Sequence, residues 1–219
     1  MRKALLVGCG SKFGLKLLES LLEQGWLVYS ISGSTIESDN NNLKQLIVDW
    51  RSVNPAHLEK FIKTIPEVDF VFFNQNSSAL NNCFNSNAFD TTTLWRQTKD
   101  WNQTYFVSCI LPFYVIHTLG GNCSATTKVA WMLSSMIYDH SNVLCADYIG
   151  NKYQNYVLMK NFSQQHPSCF FGINPDNLTE TATSNNIHTL ISQVESSADL
   201  NGKVFHFDFT EDTNFNLFK

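Results

Sequence analysis

The chain has 219 residues, enough for one domain with a sizeable core or at most two small ones. Its apolar content of 43% is ordinary for a globular protein, and a formal net charge of −4 with no Lys/Arg run argues against a nucleic-acid surface. Six scattered cysteines (Cys9, Cys83, Cys109, Cys123, Cys145, Cys169), with no Cys-x-x-Cys and no paired His, fit reduced thiols in a cytoplasmic protein rather than a disulfide or zinc framework.

At the N-terminus, "KALLVG" reads as a buried strand; its apolar run, Ala4 to Val7, is too short for a signal peptide. "GLKLLESLLEQG" follows with Leu15, Leu18 and Leu22, and Leu17 and Leu21, at helical spacing, stopped by Gly25. "WLVYSIS" is a second strand, "GSTIESDNNN" a polar loop and "QLIVDW" a third strand. "PAHLEKFIKTI" opens on Pro55 and predicts a short helix. "VDFVFFN" is a fourth strand that runs into the Asn/Ser-rich loop "NQNSSALNNCFNSN".

A long helix is expected over 92–119, bent at Pro112. Its stretch "YFVSCILPFYVIHTLGG" is the most membrane-like in the chain. Pro112 and His117 interrupt it short of the ~20 apolar residues a span needs, so a buried helix is expected and no membrane contact. Then come a strand "KVAWMLSS", a helix over 147–165, a strand "SCFFGIN", a helix "SNNIHTLISQVESSA" and a last strand "GKVFHFDF". Strand–helix alternation implies parallel strands with crossover helices, a doubly wound, mostly parallel α/β sheet in one domain over 1–219. Such sheets bind ligands beyond the carboxyl ends of their strands. "GCGSKFG", "NQNSS" and "SSM" all fall at such ends.

Gly8, Gly10 and Gly14 give a G-x-G-x-x-x-G turn between the first strand and the first helix, with Ser11, Lys12 and Phe13 between the glycines. Glycine permits positive φ and close approach of backbone, and the exposed N–H groups of a helix start accept a pyrophosphate. Further along, two Tyr-x-x-x-Lys pairs lie in "YIGNKYQNYVLMK": Tyr148 with Lys152, and Tyr156 with Lys160. On a helix each pair shares a face, which a Tyr packed beside a solvated Lys explains equally well. The six histidines show no metal-ligand spacing.

These residues resemble the short-chain dehydrogenases/reductases over nearly the whole chain. In that family the first turn reads T-G-x-x-x-G-x-G. Gly8 and Gly14 match the first and third glycines, Val7 stands at the Thr and Lys12 at the middle glycine. Asn74 matches the first Asn of the family's N-N-A-G, while Gln75, Asn76 and Ser77 depart from it. "VDW" places Asp49, followed by Trp50, at the acidic residue that meets the adenine. Ser108 stands at the family's catalytic Asn, and Pro175-Asp176 at its Pro-Gly turn.

The family's most specific feature is a Ser at a strand end with Tyr-x-x-x-Lys about 13 residues later. Ser135 precedes Tyr148 by 13 residues, whereas Val143 stands at that offset from Tyr156. The resemblance therefore implies Ser135, Tyr148 and Lys152 as the catalytic set, with Ser108 behind them and Tyr156 and Lys160 structural. A cation one helical turn from a Tyr lowers its pKa from about 10 and suits it to proton transfer. Ser135 would hold the substrate oxygen, and Lys152 the nicotinamide ribose.

The implied cofactor site comprises Gly8, Gly10, Ser11, Lys12, Phe13, Gly14, Ser32, Gly33, Ser34, Asp49, Trp50, Asn74, Asn76, Tyr148, Lys152 and Pro175. No acid stands at the end of "WLVYSISGS", where an NAD-selective site would place one, so NADP is the expected cofactor and NAD the alternative. The expected function is reduction of a small-molecule carbonyl, or oxidation of the matching alcohol, by a homodimer or homotetramer. A non-catalytic NAD(P)-binding regulator and a pteridine reductase-like enzyme are the alternatives.

Overall fold

The computed structural model describes residues 1–50, 52–75, 102–103, 105–134, 137, 146–175, 183–207 and 216–217, the side chains of 146–148 and 216–217 excepted. Ser135, Asn76 and residues 92–101 of the expected long helix lie outside them, as does the Tyr148 side chain.

Among the described residues eight strands form one sheet in the order β3-β2-β1-β4-β5-β6-β7-β8. They are β1 (Lys3–Val7), β2 (Leu27–Ser32), β3 (Leu43–Ile47), β4 (Phe70–Phe73), β5 (Lys128–Met132), β6 (Cys169–Pro175), β7 (Val204–Phe207) and β8 (Asn216–Leu217). The first seven pair in parallel, and β8 joins β7 antiparallel, with Leu217 opposite Phe205 and Asn216 opposite His206. The expected doubly wound, mostly parallel sheet is what the chain forms. The strand expected to be last is not: two residues of β8 follow it, too few for any periodicity to reveal.

The central strands are apolar at nearly every position because both of their faces are covered. On one face lie α1 (Lys12–Glu23) and α5 (Ser184–Ser196), whose Leu17, Leu18, Leu21, Ile187, Leu190 and Val194 join one core. On the other lie α2 (Pro55–Thr64), α3 (Leu111–Leu119) and α4 (Ala146–Gln165), contributing Leu58, Ile62, Leu111, Val115 and Met159 to a second core. Local chemistry fixes the helix starts. The Ser11 side chain accepts from Gly14 N, and that of Asn54 accepts from Ala56 N and His57 N ahead of Pro55. Thr183 and Asn186 cap α5 reciprocally.

Two elements differ in detail from expectation. β3 is an edge strand that begins at Leu43 and ends at Ile47; its Lys44, Gln45 and Ile47 are exposed, so its residues lack the apolar run of a central strand. Before α3, Phe106–Ile110 form a π turn in which Leu111 N donates to Phe106 O. Pro112 has no N–H for the carbonyl four residues back, and its ring crowds that carbonyl. The bend expected at Pro112 is thus a widened turn just before it.

Candidate active site

The glycine turn is built by close contacts that no other residue permits. Gly8 has φ of 83°, and a Cβ there would lie 2.4 Å from both Cα and N of Gln75, at the end of β4. A Cβ on Gly14 would lie 2.6 Å from Cys9 Cα, so this glycine lets α1 close onto the turn. Gly8 N donates to Ile31 O at 2.8 Å. Asn74 ties the end of β4 to the same turn: its Nδ2 donates to Gly8 O at 3.2 Å and to Ser11 Oγ at 2.8 Å. Phe13 is buried under the turn, whereas Gly10, Ser11 and Lys12 are exposed at the N-terminus of α1. A backbone cradle with exposed N–H groups and an adjacent cation fits a dinucleotide pyrophosphate.

Beside it, the ends of β2 and β3 form a lip. Ser32 is buried, and its hydroxyl donates to Ser34 O at 2.7 Å, so Ser34 is the exposed serine of the two. Trp50 packs over Gly33 so closely that a Cβ there would lie 2.6 Å from the indole Nε1. Asp49 is exposed and accepts from Ser52 Oγ at 2.8 Å. Under the turn, the Cys9 thiol meets Ser30 Oγ at 2.8 Å, and burial raises its pKa.

The second half of the site lies where β5 and β6 end. Lys152 is 4% exposed, and its Nζ donates to Met132 O, the last residue of β5, at 2.7 Å. Burial lowers its pKa to about 8, opposed by the Cys109 thiol. Cys109, in the π turn, donates to Gln154 Oε1 at 3.2 Å and lies 3.8 Å from Asn151 O. Burial pushes its pKa up to about 11, with Lys152 pulling the other way. Ser108 is buried in the same turn. Cys109, which the sequence did not single out, thus hydrogen-bonds from the turn to α4. Tyr148 is on α4 one turn before Lys152. Pro175 ends β6, in register with Phe207.

The second Tyr/Lys pair has a different setting. Lys160 Nζ donates to Gly202 O at 2.7 Å, ahead of β7, and the half-buried Tyr156 ring lies 6.2 Å from that of Tyr153. Among the described residues no group of His, Cys, Asp and Glu could hold a metal ion, and no helix is long and apolar enough to cross a membrane. The described cysteines Cys9, Cys109, Cys123 and Cys169 are free thiols.

No family model matches the chain, and no curated protein matches it. Solved structures do. A short-chain dehydrogenase family protein from Francisella tularensis superposes with a TM-score of 0.74 at 14% identity, over 95% of this chain and 98% of that one. A short-chain dehydrogenase/reductase from Serratia marcescens gives 0.72 at 12% identity, over 95% and 96%. A carbonyl reductase from Pseudomonas aeruginosa gives 0.71 at 17% identity, over 96% and 98%. The fold is that of the short-chain dehydrogenases/reductases. In this short-chain dehydrogenase/reductase fold the glycine turn, Asn74, Lys152 and Pro175 all fall at the carboxyl edge of the sheet, on four different strand ends or the helices next to them.

Proposed function

We propose that the protein is an NAD(P)-dependent oxidoreductase that reduces a carbonyl of a small organic substrate or oxidises the matching alcohol. The observation that carries this reading is Lys152: a lysine buried at the carboxyl edge of the sheet, anchored on Met132 O and one helical turn after Tyr148. A buried cation there favours the phenolate and brings the phenol's proton within reach of transfer near neutral pH. Ser135 would hold the substrate oxygen beside the Tyr148 hydroxyl. Gly8, Gly10, Ser11, Lys12 and Gly14 would cradle the pyrophosphate, and Asp49 and Trp50 would meet the adenine. When bound, the nicotinamide supplies or accepts the hydride. Lys152 would also hold the nicotinamide ribose.

NADP is the cofactor favoured by the lip. Gly33 and Ser34 are exposed where an NAD-selective site would carry an acid, and Lys12 stands at the neighbouring turn. Four large apolar side chains on the π turn, α3 and α4, those of Ile110, Phe113, Tyr153 and Val157, are 39–54% exposed, which supports assembly of like subunits through these helices.

Oxidation of NADPH and NADH, followed optically across aldehydes, ketones and quinonoid pterins, tests the reading. Turnover with carbonyls and tighter binding of NADPH are expected. Lys12→Ala should weaken NADPH by about tenfold, the low end of a charge-assisted contact. Cofactor binding without turnover on any substrate would instead favour a nucleotide-binding regulator, and tighter NADH binding would overturn the cofactor preference. A monomeric mass in dilute solution by light scattering would reject the assembly.

A further inference from the structure

Three buried asparagines, two on α4 and one on β6, have polar atoms with no protein partner among the described residues. Asn151, Asn155 and Asn174 are 4%, 1% and 0% exposed. The atoms without a hydrogen bond are Asn151 Nδ2, Asn155 Oδ1, and both Nδ2 and Oδ1 of Asn174. Buried amide groups are costly when unpaired, so native proteins satisfy nearly all of them with protein or with ordered water.

The fold brings the three to one level. Asn151 and Asn155 are one turn apart on α4 and share a face. On β6, Gly172 looks onto the α4 side of the sheet, because a Cβ there would meet Leu133 Cδ1 at 2.4 Å and Val204 Cγ2 at 3.2 Å, both members of that core. Side chains alternate along a strand, so Asn174 faces the same side. The Phe162 ring of α4 stacks on Phe170 of β6 at 5.2 Å, which sets the alignment of the two elements. From Phe170 to Asn174 the strand advances about 13 Å. The crossover helix runs back antiparallel, and about nine residues at ~1.5 Å each cover that distance. Counting back from Phe162 reaches the level of Tyr153, between Asn151 and Asn155. Lys152 lies at the same level, on Met132 O of the strand beside β6.

We propose that Asn151, Asn155 and Asn174 form an internal water-binding site between α4 and β6, and that its water hydrates the buried end of Lys152. Two donors and two acceptors are what one or two waters, each making about three hydrogen bonds, would join. Asn155 and Asn174 are then positioning residues for Lys152. The Cys109 thiol of the π turn acts on Lys152 electrostatically; β6 brings the neutral Asn174 to this level, and β5 the Met132 carbonyl that accepts from Lys152. The relevance of the site to turnover rests on the function proposed above, but the water site itself does not.

The test uses the whole protein without cofactor or substrate. A high-resolution crystal structure is expected to show ordered water within hydrogen-bonding distance of Asn155 Oδ1 and the Asn174 amide. A dry site with the amides bonded to each other would overturn the proposal. Titration of Lys152 by NMR of isotope-labelled lysine provides the second arm. Asn155→Leu and Asn174→Leu should lower the Lys152 pKa by about one pH unit through lost hydration, whereas Asn174→Ser, which leaves room for water, should stay near the wild-type value. A purely structural role would lower the melting temperature and leave that pKa in place, and this result in folded leucine variants would also overturn the proposal. Should the leucine variants not fold, the wild-type crystal structure decides alone. A protein with hydrated asparagines and no turnover would refute the proposed function and spare this site; a dry site in an active enzyme would do the reverse.

Discussion

The two halves of α4 carry the same Tyr-x-x-x-Lys spacing and use it differently. In the half near the amino edge of the sheet, Lys160 closes a hydrogen bond to Gly202 O, and Phe162 stacks into an aromatic cluster with Trp131 and Phe170. Lys160 and Phe162 are matched to partners there, although the Trp131 indole Nε1 is buried without a hydrogen-bond partner. In the half near the carboxyl edge, a lysine is buried at a cost to its charge, and the nearby asparagines have unmet polar atoms. Local spacing puts each Tyr on one helical face with its own Lys; the strand end beneath them distinguishes the two pairs. A buried cation and unpaired amides are tolerated where chemistry requires them and rarely elsewhere.

The sharpest way to break this contrast is a pair of hydroxyl deletions. On the proposed function, Tyr148→Phe should slow turnover by roughly 10² to 10⁴-fold with cofactor affinity kept, as loss of a positioned acid does. Tyr156→Phe should leave turnover within about twofold, because its hydroxyl takes no part in proton transfer. Equal effects in steady-state kinetics would erase the distinction.

Stability against pH separates the two lysines next. The folded-state pKa of Lys152, about 8, lies below its ordinary 10.5. Below about 8 the lysine is protonated in both states, and the folded protein bears the full cost of the buried charge. Between these values the folded state loses its proton first, so stability rises with pH, by up to about 3 kcal/mol from this group. Lys152→Met should remove that rise, measured as the difference between urea midpoints of variant and wild type across pH 7.5 to 10.5. Lys160→Met should cost about 1 kcal/mol, the loss of one hydrogen bond to a carbonyl. A rise with pH that survives Lys152→Met would remove the contrast.

Much of the fold was legible because its signals are local and repeated. "KALLVG" and "VDFVFFN" are apolar runs that only strands covered on both faces need, and the leucines of α1 recur at helical spacing. Gly8 and Gly14 stood out by type, and their contacts with Gln75 and Cys9 give the steric reason. The rest depended on contacts between distant segments. The hydrogen bonds of Cys109 to α4 depend on the π turn ahead of Pro112, which rotates the helix face by one extra residue. Asn155 and Asn174 looked like two of many asparagines until the sheet and helix set them at one level. The burial of the Ser32 hydroxyl into its own turn was equally invisible, since a Ser-Gly-Ser sequence does not say which serine points inward.

The contact of Trp50 with Gly33 has a consequence for redesign. A carboxylate introduced at the end of β2 is the obvious route to an NAD-selective site, yet any side chain at position 33 collides with the indole, 2.6 Å from where its Cβ would be. The two positions are coupled: Gly33→Asp alone should displace Trp50 and unpack the tip of the β3 edge strand, whereas Gly33→Asp with Trp50 reduced to a smaller residue would have room. On the proposed NADP preference, a switch toward NAD at position 33 is therefore a two-residue problem, in which the first substitution is unfavourable until the second is made.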